Sequence, residues 1–245
     1  MKSNSKSISL NPISLIIATC KYWRLNVWRI IFLTAIVAIP GSVVRVLQFD
    51  SVNDASIVAS VAGLYLSVAL TWVFFHESDL KKYRVPTLYV RSSSRFLPFL
   101  LTSIYFALID MPVMLGIMII ILALSTQIPM YYTYIGGLFS LAAMYFVVRF
   151  SLATTFVVQN ELSSFNAMRL SWEVSAKNSI KLAFAWGSII LLIILASGLL
   201  LSGAEQITFL RENLYAQVLL NGLLLTFFLP LFIGYGVQIV KRLEK

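Results

Sequence analysis

Cysteine, histidine and charge are almost missing from this chain. Its 245 residues hold one cysteine and one histidine, and only 12% are charged. One cysteine excludes a disulfide scaffold and a cysteine-based zinc site. One histidine excludes most histidine-cluster metal chemistry, and no cofactor or metal is expected. A charged fraction half the about 25% of a soluble domain excludes an ordinary globular protein. A disordered chain needs high charge and low hydrophobicity and is excluded too. What is abundant is apolar: 59% hydrophobic residues and a mean hydropathy of +0.87. Those values define an all-α, polytopic membrane helical bundle.

A membrane-spanning helix needs about 20 mostly apolar residues. Six stretches meet that length, at about 27–44, 55–75, 96–124, 134–158, 180–201 and 216–240. They are too long for membrane strands, which need about 9–11 residues each. Short connections leave no room for a separate soluble domain, so residues 1–245 read as a single integral membrane domain. Residues 1–12 are polar and the apolar run Ile13–Ala18 is short, so no cleavable signal peptide is expected. Residues 1–26 read as a cytoplasmic tail and an interfacial helix, with Tyr22, Trp23 and Trp28 at headgroup depth. Cys20 reads as a small hydrophobe at that interface.

Charge placement sets the orientation. Of the 19 Lys and Arg, only Arg45 and Arg211 lie in the connections after the first, third and fifth spans. The positive-inside rule then places both termini in the cytoplasm. The net charge of +9 marks the cytoplasmic face and favours anionic lipid headgroups. The cations are spread over four short segments without a recognition motif, so no nucleic-acid partner is expected. A membrane-protein partner of unknown identity is the other expected contact.

Apolar burial does not drive one membrane helix onto another, because lipid is as apolar as leucine; small residues that permit close approach matter more. Ala55, Ala59, Gly63 and Ser67 form a four-residue repeat in the second span, Gly136, Ser140 and Ala143 lie in the fourth, and Gly234 in the sixth. Pro40, Pro112 and Pro230 are expected to kink their helices.

The two charges most clearly inside apolar segments are Asp110 and Arg149. Such residues are costly in lipid and normally face the bundle with a partner. Asp110 lies about 22 Å beyond Arg95 along a helix, and Arg149 about 18 Å before Glu161, so antiparallel helices place them at similar depth. An Asp110–Arg149 ion pair is therefore expected. His76, Glu77 and Asp79 cluster after the second span, but the i, i+4 histidine pair of a helical zinc site is missing. They read as a solvated helix end.

The segment from about 163 to 177 (SSFNAMRLSWEVSAK) reads as a short cytoplasmic helix. Ser163 or Ser164 caps its start, and Phe165, Met168, Trp172 and Ala176 share one face. Arg169–Glu173 and Glu173–Lys177 are i, i+4 pairs. Phe165, Met168, Arg169 and Trp172 make it a candidate docking helix. A weaker Ser- and Arg-bearing echo at 89–98 (YVRSSSRFLP) hints at a degenerate hairpin repeat.

The stretch from Arg149 through Glu161, Ala167 and Ser171 to Ser179, followed by a span, resembles a pattern in two related groups. One is the uncharacterised bacterial inner-membrane family of YciC type. The other is the membrane domain fused to some glycerophosphoryl diester phosphodiesterases. Gly136-Gly137 stand where that family often has Pro-Gly. The resemblance implies a multi-helix inner-membrane protein with no assigned activity and no catalytic residues to carry over; the phosphodiesterase itself would need a separate soluble barrel.

The sequence holds no G-x-S-x-G, no G-x-x-x-x-G-K-[ST] and no G-x-G-x-x-G. The expected function is accordingly non-enzymatic: a scaffold or accessory to a membrane partner or envelope process. The alternative is a small transporter or lipid-handling protein with Asp110 and Arg149 lining its path.

Overall fold

The computed structural model describes residues 10–47, 52–76, 85–125, 131–206 and 213–244. Those residues are predominantly helical, with no strand among them. In chain order the helices are α1 (Pro12–Leu25), α2 (Val27–Leu47), α3 (Val52–Phe75), α4 (Val85–Ser93) and α5 (Phe96–Ser125). Then follow α6 (Tyr131–Phe150), α7 (Ala153–Gln159), α8 (Ser164–Ala176), α9 (Ser179–Glu205) and α10 (Leu214–Leu243).

Among the described residues four helices are long and apolar enough to cross a membrane: Phe96–Ala123, Tyr131–Gln159, Ser179–Gly203 and Gly222–Leu243. They correspond to the third to sixth expected spans. The first two expected spans fall in α2 and α3, where the described apolar stretches are the shorter Val27–Val37 and Val61–Phe75. Helix ends follow local chemistry. Asn11 accepts a hydrogen bond from the Ile13 amide and Pro12 takes a first-turn position, where its missing N–H costs nothing. Asn213 caps α10 in the same way, accepting from the Ala216 amide at 3.2 Å. Lys241 and Arg242 occupy the last turn of α10, where the helix dipole favours cations. Helices α5 and α10 continue through Pro112 and Pro230.

The chain divides into two compact units, residues 1–96 with 184–245, and residues 97–183. In the first, α2, α3 and α10 pack together, with α1 against α10 and α4 against α3. Tyr22, Leu66, Leu70 and Phe74 are buried in its core. Gly234 of α10 gives the Phe74 ring its seat: a Cβ there would stand 2.5 Å from the ring. The orphan carbonyls at the end of α3 are shared out. The Tyr22 hydroxyl donates to Val73 O at 2.9 Å, Lys241 Nζ donates to Phe74 O at 2.9 Å, and His76 Nδ1 lies 3.0 Å from Trp72 O. Tyr22, expected at headgroup depth, is thus a core residue; Trp28 is 81% exposed and Trp23 is half-buried.

Helix α4 is pinned by two tyrosines. The Tyr89 hydroxyl donates to Leu33 O at 2.6 Å, Tyr65 donates to Tyr89 O at 2.7 Å, and the two rings stack. Burial, with the Tyr65 hydroxyl nearby, pushes the Tyr89 hydroxyl up to about 12.

The second unit is built on a close helix crossing. A Cβ on Gly136 would lie 2.8 Å from the Gly116 carbonyl, and one on Gly116 would lie 2.7 Å from the Gly136 carbonyl. Only glycine permits that approach. The Ser140 hydroxyl reaches Val113 O across the crossing at 3.4 Å. Expected stripe residues Gly136 and Ser140 therefore do pack; Gly116 completes the contact. In the expected stripe of the second span, Gly63 has open space around its Cα. The side chains of Ala55 and Ala59 lie outside the described residues.

Candidate functional site

The site centres on Arg149, in the last turn of α6 and only 4% exposed. Helix α6 breaks after Phe150, and Ser151 and Leu152 form a turn before α7. The Ser151 amide closes on Val148 O at 3.4 Å, and no backbone amide bond to Arg149 O occurs among the described residues. Two hydroxyls of α8 take the Arg149 carbonyl: Ser171 at 2.8 Å and Ser175 at 3.0 Å. The guanidinium is held as tightly. Nη2 donates to Trp172 O at 2.8 Å and Nη1 to the Tyr145 hydroxyl at 3.3 Å. Its central carbon lies 3.9 Å from the centre of the Trp172 ring and 5.6 Å from that of Tyr145. A cation over an indole face is the strongest cation–π geometry, and it is worth more when water is excluded. One nitrogen has no partner: Nε is buried and makes no hydrogen bond.

Trp172 joins this cation to an aromatic cluster. Its ring packs against Phe146 at 6.1 Å and Phe150 at 5.3 Å, and edge-on against Tyr145 at 6.1 Å. Helix α8 is tied at its other end as well, where the Ser164 hydroxyl donates to Pro98 O in the first turn of α5 at 2.8 Å. Helix α8 thus cross-ties the start of α5 to the end of α6.

The expected Asp110–Arg149 ion pair is not formed. All described contacts of the guanidinium run to Trp172 and Tyr145, and Asp110 is half-exposed on α5 with no ion pair among the described residues. The depth comparison assumed one straight helix from Arg149 to Glu161. The turn at Ser151 and Leu152 breaks it, and α8 supplies Trp172 as partner instead.

Helix α8 extends over Ser164–Ala176, close to the expected 163–177, but its packed face differs. Ser164, Ala167, Ser171 and Ser175 are buried, while Phe165 is 75% exposed and Ala176 is exposed. Met168 is intermediate, and Trp172 turns onto α6. The Arg169–Glu173 pair forms at 2.9 Å on the exposed side. Glu173 makes no ion pair with Lys177 among the described residues, and Ser163 precedes the helix without a side-chain cap. The small-residue rule, applied above to the spans alone, would have marked the 164/167/171/175 stripe.

His76 stacks on Trp72 at 4.2 Å. Glu77 and Asp79 lie outside the described residues. No group of three His, Cys, Asp or Glu able to hold a metal occurs among the described residues. Cys20 is exposed on α1.

No family model, curated protein or solved structure matches the chain.

Proposed function

We propose that this chain is a non-enzymatic, multi-pass protein of the bacterial inner membrane, acting as a scaffold or accessory to a membrane partner. In this reading it has six spans with both termini in the cytoplasm, supported by the 17-to-2 division of its cations. The resemblance of residues 149–179 to the YciC-type family points the same way.

The observation that carries the reading is how the buried polar side chains are used. Thr19, Thr34, Thr102 and Thr226 each donate to the carbonyl four residues back, and Ser171 and Ser175 close on Arg149 O. These hydroxyls are committed to backbone carbonyls, the threonines within their own helices and the two serines from α8 to α6, and do not converge on a carboxylate as an acid–base site would. Helices α5 and α9, by contrast, offer long apolar faces: only 11% of each spanning window is buried. Such faces suit contact with lipid or with a partner's helices.

Native mass spectrometry of the gently extracted protein tests the reading. A second protein retained in fixed stoichiometry is the expected result. A chain that survives repeated mild extraction alone, carrying lipid and moving solute in vesicles, would favour the transporter or lipid-handling alternative.

A further inference from the structure

Helices α5 and α6 touch at Gly116 and Gly136, where neither backbone carries a Cβ. Towards the start of α5 and the end of α6 they are held by α8, through Ser164 to Pro98 and through Ser171 and Ser175 to Arg149. The tie points Ser164 and Ser175 are 11 residues apart, or about 16 Å along α8. Packed helices are ordinarily 8–10 Å apart, so a bar of this length spreads α5 and α6 more widely than at their crossing. A groove opens in the gap. It holds about 350 Å³ and is lined by Ile109 and Pro112 of α5 and by Phe139, Ala142, Ala143 and Phe146 of α6.

Every lining residue is apolar, and the groove sits on helices that carry exposed Leu108, Met111, Leu138 and Leu141. In a membrane such a groove faces acyl chains. Its wall residue Phe146 packs on Trp172, which also lies against the Arg149 guanidinium. Arg149 follows Phe146 by less than one turn, about 4.5 Å along α6. The α6 face that lines the slot therefore runs on to a cation that has no carboxylate partner among the described residues and whose Nε has no hydrogen-bond partner. A buried cation normally has a counter-charge.

We propose that this frame binds one anionic glycerophospholipid from the surrounding bilayer. One acyl chain lies in the groove along α6, and the phosphodiester supplies the missing counter-charge to Arg149. The phenol that covers the guanidinium is a weak lock. Its bond to Nη1 is long, at 3.3 Å, and Tyr145 is 48% exposed, so the ring can swing outward. A phosphate oxygen then replaces a neutral hydroxyl with a charge-assisted partner and reaches the free Nε–H. Indole stacking keeps the guanidinium in place throughout. The proposal does not depend on whether the chain is a scaffold.

The test uses the full chain in detergent, titrated with phosphatidylglycerol or phosphatidylcholine, with bound lipid counted by native mass spectrometry and thermal unfolding followed in parallel. Phosphatidylglycerol is expected to bind at one tight site, about tenfold more strongly than phosphatidylcholine, and to raise the unfolding midpoint. Ala142→Trp fills the groove from an exposed position and is expected to remove that site without lowering the lipid-free midpoint. Arg149→Gln is expected to remove the headgroup preference while phosphatidylcholine binding persists. Arg169→Gln, which deletes an exposed cation, is expected to change neither. Equal binding of the two lipids would overturn the proposal, as would an unchanged tight site in Ala142→Trp. An equal loss in Arg169→Gln would show general surface attraction and overturn it too. Stabilisation by inorganic phosphate alone would assign the site to a free anion, and protection of the groove by a second copy of the chain would assign it to self-association; either contradicts a lipid site.

Discussion

The Arg149 guanidinium carbon sits 3.9 Å from the centre of the Trp172 ring, and Nη2 of the same group donates to the Trp172 carbonyl. Backbone and side chain of one α8 residue thus hold the same cation. Removing the indole uncovers a buried charge and leaves a space beside Phe146 and Phe150. Trp172→Ala is expected to lose about 3 kcal/mol of unfolding free energy. Trp172→Phe keeps a ring beneath the cation and should lose roughly half as much. Reversible unfolding in mixed micelles measures both.

The Arg149 carbonyl accepts from both Ser171 and Ser175. Ser171→Ala or Ser175→Ala alone leaves one donor and is expected to cost about 1 kcal/mol. The double substitution orphans a carbonyl at the helix break and should exceed the sum of the two. Strict additivity in the same assay would mean the hydroxyls act separately.

Gly116 and Gly136 predict a position-specific response to one methyl group. A Cβ on Gly136 would lie 2.8 Å from a backbone carbonyl, which cannot step aside like a flexible side chain. Gly136→Ala is expected to lose about 1–3 kcal/mol. Its neighbour Gly137 has nothing within 4 Å, so Gly137→Ala should be neutral or gain up to about 1 kcal/mol from helix propensity.

How the chain reads as a sequence follows from the same physics. The existence and extent of helices were legible, since long apolar runs and short amphipathic ones announce themselves; α8 matches its expected range within a residue at each end. Which face of each helix packs was less legible. Hydrophobic periodicity separates core from water, but lipid accepts the same side chains as a core does. Thus Phe165 looked like a packing residue and is exposed, while Ser164, expected as a possible cap, is buried with Ser171 and Ser175. The Arg149 partner was hidden for another reason. Depth along ideal helices pointed to Asp110, but the break after Phe150 carries neither proline nor glycine and gave no sign. The small-residue stripe of the fourth span was readable; Gly116 opposite it was a lone glycine among large apolar residues.

Alkaline pH should act on α4. The Tyr89 hydroxyl is pushed up to about 12 by burial and by Tyr65, above its unfolded value of about 10. A raised folded value means the neutral form is favoured by folding. That contribution is fully present below about pH 10 and is lost as pH rises through about 12. Tyr89→Phe should therefore show a smaller loss of stability across that window, together with a lower starting stability from the missing bond to Leu33 O. Identical alkaline slopes would contradict the assignment.

Orientation is testable with single cysteines in a Cys20→Ser background. Ser51→Cys, Gln127→Cys and Glu212→Cys should react with an impermeant maleimide in whole cells. Ser3→Cys, Lys82→Cys and Glu161→Cys should react only after the membrane is opened. The reverse pattern would invert the topology, and a mixed one would change the number of spans.

The assignment of Arg149 to α8 is tested most directly by a pair of double-mutant cycles. One combines Arg149→Gln with Trp172→Leu, the other Arg149→Gln with Asp110→Asn, with unfolding free energy as the readout in both. Arg149 and Trp172 should couple by about 1–2 kcal/mol, and Arg149 and Asp110 by less than about 0.5 kcal/mol. Strong coupling to Asp110 with none to Trp172 would contradict the account.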